Sequence, residues 1–224
     1  MSVDVYRTIR SNALHPIRAA HTTKVDLTME IQCQCGKFRA RLKAFPNATP
    51  GRLVCYCDDC QSYLRHLKRT DLLDAQAGTE VIPAYPADVE IVQGQEQLKC
   101  TRLSPAGLYR FSTACCNTPI ANLRPGMPWA GFLRCAYTAG GDAQALDRQL
   151  GPVRSRIMGQ FAKGTPPAGT PSKFDLKALR SVMPFMLKGM LLGKAKPSPF
   201  FADDGVTPIV APRVLTKAER QALR

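Results

Sequence analysis

Three cysteines within six residues, Cys55, Cys57 and Cys60, constrain this chain more than any other feature. Zinc binds four ligands in a tetrahedron, and thiolates on a sharply turning loop can converge on one ion. A helix is predicted to begin beside the third cysteine, and its N-terminal amides and dipole favour thiolate over thiol. The spacing therefore predicts a zinc–thiolate site. The alternative is three buried free cysteines.

The cysteine count supports metal binding over disulfides. The chain has 224 residues and nine cysteines, an odd number that fits poorly with a closed disulfide framework. We find no secretory signal pattern and no run of about 18 apolar residues that could span a membrane. These features predict a cytoplasmic protein with reduced thiols, in which closely spaced cysteines are typical of metal or catalytic sites.

Three ligands from one loop leave a fourth position on the ion. Structural zinc sites are closed, whereas catalytic sites keep a position for water or substrate. A substrate thiol would suit a thiolate-bound metal. The alternative fourth ligand from the chain is His66, on the predicted helix.

The remaining cysteine groups predict a second, closed zinc site. Cys33 and Cys35 supply two ligands, and Cys115 and Cys116 complete four. Because adjacent side chains on an extended strand point apart, Cys100 is an alternative to one of the neighbouring pair. Otherwise Cys100, like Cys135, is expected to pack as a small hydrophobic residue.

The hydrophobic pattern predicts a mainly β fold. Residues 37–43 (KFRARLK) alternate at period two, as in a half-buried strand, and a short helix is expected over 58–69. Turn signals separate the other predicted strands, and a doubly wound sheet is disfavoured because strands and helices do not alternate. These strands are expected at residues 52–55, 80–84, 89–92, 98–103, 108–112, 119–123 and within 129–137.

Composition divides the chain into three regions. Residues 1–28 are predicted to be a poorly ordered extension, residues 29–150 the zinc-binding domain, and residues 151–224 a basic, partly helical extension. The first region is basic and poor in acids, as a targeting presequence would be. The alternative, which we prefer, is that Met29 is the true start of the protein.

The final region holds most of the net charge of +14, with 13 Lys and Arg against 4 Asp and Glu. Residues 164–172 have the composition of a linker, and a final charged helix is expected within 215–224. Residues 174–193 have apolar residues at helical spacing, and Pro184 is expected to kink or divide that helix. This segment is either a basic amphipathic helix on a membrane surface or a helix packed on the domain.

A basic tail could also attract nucleic acid or an acidic ligand, or it could simply form a solvated face. Nucleic acid is disfavoured as a partner because no stacking aromatic residues alternate with the basic ones.

The cysteine groups in this order resemble the glutathione-dependent formaldehyde-activating enzyme family, also called the CENP-V/GFA domain. The resemblance covers residues 29–137 and rests on Cys33-x-Cys35-Gly36, the Cys55–Cys60 triple, and Arg110 preceding Cys116-x-Thr118. It implies an Mss4-like, or β-tent, fold of small antiparallel sheets. It also implies that the triple holds the zinc associated with activity, and that Cys33 and Cys35 share a structural zinc with a later cysteine pair.

The sequence departs from the family pattern at several positions. Thr113 stands where the family has the first of its late cysteines, so Cys115 is the substitute, and Asn117 replaces a glycine. Tyr56, Asp58 and Asp59 also differ from many relatives. The two acids would repel a carboxylate-bearing substrate such as glutathione unless Arg65, Arg110 or the basic tail compensates.

Two functions follow as hypotheses. The first is a zinc-dependent carbon–sulfur lyase that acts on a small thiol or thiol–aldehyde adduct. Asp58 or Asp59 would move the proton, and Arg110 would stabilise an anion. The second is a non-catalytic scaffold in which both zinc ions are structural and the tail binds nucleic acid or a membrane surface.

Overall fold

The computed structural model of the chain describes residues 28–43, 45, 49–138 and 141–224. The predicted N-terminal extension therefore lies outside the described residues, apart from Thr28.

A small antiparallel sheet forms one part of the molecule. Its strand order is β10-β1-β2-β5. The strands are β1 (Met29–Gln32), β2 (Arg39–Leu42), β5 (Val89–Gln93) and β10 (Tyr137–Thr138). The predicted alternation is confirmed in β2, where Arg39 and Arg41 are exposed while Ala40 and Leu42 are buried.

The larger sheet has eight strands in the order β11-β3-β4-β9-β8-β7-β6-β12. The central six pair antiparallel, whereas β11 pairs parallel with β3 and β12 pairs parallel with β6. The strands are β3 (Arg52–Cys55), β4 (Thr79–Ala84), β6 (Leu98–Arg102), β7 (Tyr109–Thr113), β8 (Pro119–Leu123), β9 (Ala130–Leu133), β11 (Val153–Ile157) and β12 (Pro212–Val214). The mainly β prediction is confirmed, with antiparallel and mixed sheets.

Four α-helices accompany the sheets in the described part of the chain. They are α1 (Asp58–His66), α2 (Ala143–Leu150), α3 (Leu176–Leu191) and α4 (Lys217–Ala222). The helix predicted over 58–69 thus ends three residues earlier. Among the described residues, no helix is long and apolar enough to cross a membrane.

Pro184 lies inside α3 and does not divide it, contrary to one of the two expected effects. A proline removes one intrahelical hydrogen bond, which packing on both sides can offset. Here Ala178 precedes the proline and Phe185 and Gly189 follow it, and all three are buried.

The hydrophobic core joins the two sheets. Ile31 of β1, Ile82 of β4 and Phe132 of β9 belong to one buried cluster. Phe200, from the loop after α3, is also fully buried in it, with its ring centroid 4.9 Å from that of Phe111. Residues 151–224 therefore supply core side chains as well as α3 and α4, and they add a strand to each edge of the larger sheet.

We expect Phe200→Ala to lower the free energy of unfolding of the whole protein by about 3 kcal/mol or more, because it leaves a cavity in the shared core. Urea denaturation monitored by circular dichroism measures this change. Val206→Ala is the matched control, since Val206 lies in the same segment but is 58% exposed. An unchanged main transition in the Phe200 variant would instead mean that this segment folds independently.

Candidate metal centres

The three-cysteine group lies where β3 runs into α1. Cys55 is the last residue of β3, Cys57 caps α1 and Cys60 lies in its first turn. The three Sγ atoms lie within 4.8 Å of one another. The Cys60 amide donates a hydrogen bond to the Cys57 sulfur over 3.4 Å, as in a conventional N-cap. The predicted convergence of the three thiols is therefore present.

Gln61 holds this turn in place from inside the protein. Its side-chain amide donates to the carbonyls of Tyr56 and Phe161, each over 2.8 Å. The Tyr56 amide in turn donates to the carbonyl of Ile157 in β11 over 3.2 Å. Because Gln61 is buried, both its hydrogen bonds and the turn they fix are shielded from water.

The surroundings favour a thiolate at Cys60. Hydrogen bonds with the Cys55 and Cys57 thiols lower the pKa of Cys60 well below its usual value, and the Arg110 guanidinium lowers it further. Hydrogen bonds with the Cys57 and Cys60 thiols raise the pKa of Cys55. A divalent metal replaces the shared protons and stabilises all three thiolates together.

Arg110 lies beside this group. Its side chain is 3% exposed, and its guanidinium lies 5.2 Å from the centre of the Tyr63 ring. Its Nε and Nη1 atoms are buried without a hydrogen-bond partner among the described residues. Its Nη2 atom lies 4.0 Å from the Asp59 carboxylate. A buried cation thus favours the negative charge of the Cys60 thiolate.

A cavity of about 350 Å³ adjoins the three-cysteine group. Two of its wall residues, Asp58 and Asp59, are paired with arginines of residues 217–224, which we call the last segment. Arg224 lies 2.8 Å from Asp58, and Arg220 lies 2.5 Å from Asp59. The cavity is lined by Cys57, Asp58, Asp59, Met158, Phe161, Arg220 and Arg224.

Four of these wall residues were not predicted from sequence. Arg220 and Arg224 are four residues apart, a spacing that puts both on one helical face, but nothing in the sequence says that this face meets Asp58 and Asp59. Met158 follows β11 with a φ of 63° and packs against the cysteine group. A left-handed conformation at a non-glycine residue is strained and is common at functional sites, but the sequence carries no signal for it.

The second group joins two turns. Cys33 and Cys35 lie in the turn between β1 and β2, whereas Cys115 and Cys116 lie in the turn between β7 and β8. The Cys115 sulfur is 3.3 Å from that of Cys35, 3.7 Å from that of Cys33 and 3.8 Å from that of Cys116. All four Sγ atoms lie within 4.8 Å of one another, so the group offers a complete tetrahedral ligand set.

Adjacent cysteines can serve together here because they are not on an extended strand. Residues 114–116 form a turn, and Asn117 has a φ of 52°. The alternative that placed Cys100 in this group is therefore wrong. Cys100 lies in β6, is 3% exposed and belongs to the hydrophobic core.

Two threonines support the four-cysteine group without replacing a ligand. The Thr113 hydroxyl is 3.5 Å from the Cys116 sulfur, and the Thr118 hydroxyl is 3.1 Å from it. Burial opposes ionisation of Cys116, but these hydrogen bonds outweigh it and its pKa falls to about 5. The Gln34 amide also donates to the Thr118 hydroxyl, which links the two turns.

The structure places two other predicted contributors elsewhere. His66 lies at the opposite end of α1 from Cys57 and is outside both cysteine groups, so it is not the fourth ligand. Arg65 donates to the Gln61 side chain and to the Leu223 carbonyl, over 2.8 and 2.7 Å. It anchors the last segment, whereas Arg220 and Arg224 neutralise the acids.

We expect the purified protein to hold two metal ions per chain, measured by inductively coupled plasma mass spectrometry. Cys57→Ser should lower the content to one, and Cys35→Ser should do the same, because each variant removes a ligand from a different group. Cys135→Ser is the matched control and should retain both ions. Loss of both ions in each single variant, with the fold preserved, would contradict two separate centres.

Comparison with known proteins adds the family but no activity. No curated protein matches the chain. A crystal structure of a Rhodobacter sphaeroides protein, a structural genomics target, is 17% identical with a TM-score of 0.39, and the match covers 56% of this chain and 97% of that one. The model of a family of unknown function, DUF6151, matches residues 25–211, most of the chain. The chain belongs to this DUF6151 family.

Proposed function

We propose that this protein is a zinc-dependent carbon–sulfur lyase acting on thiol–aldehyde adducts, in the manner of the formaldehyde-activating family that its motifs resemble. One observation carries the proposal: the second centre has four thiols, whereas the first has three and adjoins a cavity. A closed ligand set is typical of structural zinc, and an open one of catalytic zinc.

The donor sets fit zinc. Each group offers thiols alone, and zinc binds three or four thiolates readily. When bound at Cys55, Cys57 and Cys60, zinc would supply a Lewis acid that favours the thiolate form of a substrate thiol. We assign the ion at Cys33, Cys35, Cys115 and Cys116 to stabilising the fold.

The Mss4-like fold is part of the same proposal. It is supported by the small antiparallel sheet, whose first turn carries Cys33 and Cys35, and by the contact of that turn with the β7–β8 turn. The resemblance to the formaldehyde-activating family implies that these two turns share one metal ion.

The reaction breaks one carbon–sulfur bond. The substrate is an S-hydroxymethyl adduct, which is a hemithioacetal. Its hydroxyl proton leaves, its carbon–oxygen single bond becomes a carbonyl double bond, and the electron pair of its carbon–sulfur bond passes to sulfur. The products are an aldehyde and a thiolate, and addition is the reverse. Asp58, in the cavity wall beside Cys57, accepts the proton. Arg110 stabilises the negative charge that gathers on the sulfur atoms.

The acids at the cavity do not exclude a carboxylate-bearing thiol. Arg220 and Arg224 neutralise Asp59 and Asp58 and also line the cavity. The Arg224 guanidinium, whose side chain is 57% exposed, keeps N–H groups beyond its pair with Asp58, and these suit a substrate carboxylate. Glutathione and cysteine both carry a thiol and a carboxylate.

We expect the protein to accelerate exchange between free formaldehyde and its glutathione adduct, measured by exchange NMR. Cys57→Ser should abolish the acceleration while keeping the metal ion of the other centre, because it removes one of the three ligands of the three-cysteine group. Cys135→Ser should leave the rate unchanged. If the wild-type protein with two zinc ions accelerates exchange for no thiol tested, the scaffold function, with two structural ions, takes the place of this proposal.

Within that activity, we expect the Arg220→Gln, Arg224→Gln double variant to raise KM for the glutathione adduct by about tenfold, because it removes charge-assisted hydrogen bonds to the carboxylate. The KM for the 2-mercaptoethanol adduct, which has neither a carboxylate nor an amine, should change little. Lys217→Gln is the matched control, since Lys217 lies in α4 with Arg220 but not at the cavity. An equal rise in KM for both adducts would contradict a role in carboxylate recognition.

A further inference from the structure

Helix α3 has two apolar faces, and one of them is exposed. Its inner face is buried through Ala178, Phe185 and Gly189. At about 100° per residue, the exposed apolar residues fall together on a different arc of the helix. They are Leu176 (70% exposed), Leu179 (39%), Met183 (39%), Leu187 (51%), Met190 (65%) and Leu191 (86%). We call them the outer stripe.

The rotation of α3 is fixed, so the outer stripe cannot turn inward. The Tyr85 ring stacks on Phe185 at a centroid distance of 4.1 Å, and its hydroxyl donates to the Phe185 carbonyl over 2.8 Å. Gly189 approaches so closely that an added Cβ would lie 2.5 Å from Tyr85 and 2.7 Å from Pro128. Any large rotation would put a bulky side chain into this space.

The exposed apolar surface continues beyond the helix. A cavity of about 320 Å³ with an almost wholly apolar lining lies between α3 and the β8–β9 turn. Phe174 and Met127 line it and are 48% and 42% exposed. An apolar area of this kind is typical of an interaction surface.

The charges along α3 are positive apart from its N-cap, Asp175, whose carboxylate accepts a hydrogen bond from the Ala178 amide. Residues 176–202 contain five Lys and Arg and no Asp or Glu. Helical geometry places Lys177, Arg180 and Lys188 together along one edge of the stripe. None of these three forms a salt bridge with any described residue. Their charges are therefore available to an anionic partner.

We propose that α3 docks on the surface of an anionic phospholipid bilayer, with the outer stripe in the headgroup–acyl boundary and the basic edge against the lipid phosphates. An apolar face bordered by lysine and arginine is the pattern of helices that lie in this interface. Anionic lipids attract each nearby Lys or Arg. The outer stripe projects from the molecule, and lipid chains can adapt to such a ridge.

Charge disfavours the two partners that the chain itself could supply. A second copy would bring an identical basic edge against this one, and like charges repel. Residues 1–28 carry four Lys and Arg against two Asp and Glu, so they share the same sign of net charge. An acidic protein surface also has the complementary charge. It is the alternative partner if the protein does not bind anionic lipid.

The test is co-sedimentation of the zinc-loaded full chain with vesicles. We expect binding to vesicles of phosphatidylcholine and phosphatidylserine, little binding to phosphatidylcholine alone, and release at high salt. The Leu187→Gln, Met190→Gln double variant should weaken binding by about tenfold, because glutamine buries less apolar surface in the headgroup–acyl boundary than leucine or methionine. Val92→Gln is the matched control, since Val92 is 54% exposed on β5 in the other sheet.

Thermal unfolding should show that the double variant keeps its fold, because its two positions are exposed. The proposal is overturned if the wild-type protein does not bind the anionic vesicles, or if the double variant binds as the wild type does. It is also overturned if analytical ultracentrifugation shows a dimer that the double variant cannot form. Because the readout is lipid binding, each outcome is independent of the lyase activity.

Discussion

The parallel pairing of β11 with β3 is the interaction on which the three-cysteine centre depends. It sets Ile157 beside Cys55 and gives the Tyr56 amide its acceptor. The same pairing brings the Phe161 carbonyl to Gln61, which fixes the turn from the other side. The turn that carries the three cysteines spans only six residues, but it takes its shape from a strand about a hundred residues away. The region after residue 150 is structurally part of this centre.

Electrostatic balance explains why two acids can lie beside a thiolate group. Asp58 and Asp59 in the first turn of α1 gain from the helix dipole, but they add negative charge beside Cys60, whose own pKa is lowered. Arg110 is buried at the three-cysteine group, while Arg220 and Arg224 pair with the acids from outside. Three guanidinium groups thus face two carboxylates and the sulfur atoms. Because α4 supplies Arg220 and the residues directly after it supply Arg224, the charge of the cavity depends on the docking of this end of the chain.

The local features of this protein could be predicted from its sequence, and so could the four-cysteine group, which joins two turns 80 residues apart. The other distant contacts of the site could not. The spacing of Cys55, Cys57 and Cys60 is enough to predict one ligand set, because a strand end and a helix start bring them together. The pairing of Cys115 with Cys116 depends on a turn whose left-handed residue is Asn117, not glycine. Strands β11 and β12 were not predicted, since both are edge strands in parallel pairs with segments far away in the chain. The contacts of Arg220 and Arg224 are equally non-local.

The inner and outer faces of α3 impose different demands on one helix. Ala178 on the inner face packs in the same small cluster as Cys55 and Ile157, so the helix helps to support the three-cysteine group. Leu53 and Ile157, in the strands beneath, also line the apolar cavity that borders the outer stripe. Burying the stripe within the protein would require α3 to roll, and rolling would disturb Ala178 and, through it, the cysteine turn. Among the described residues, the position of the three-cysteine group therefore keeps the outer stripe exposed, and this is the surface that the proposed docking on lipid would cover.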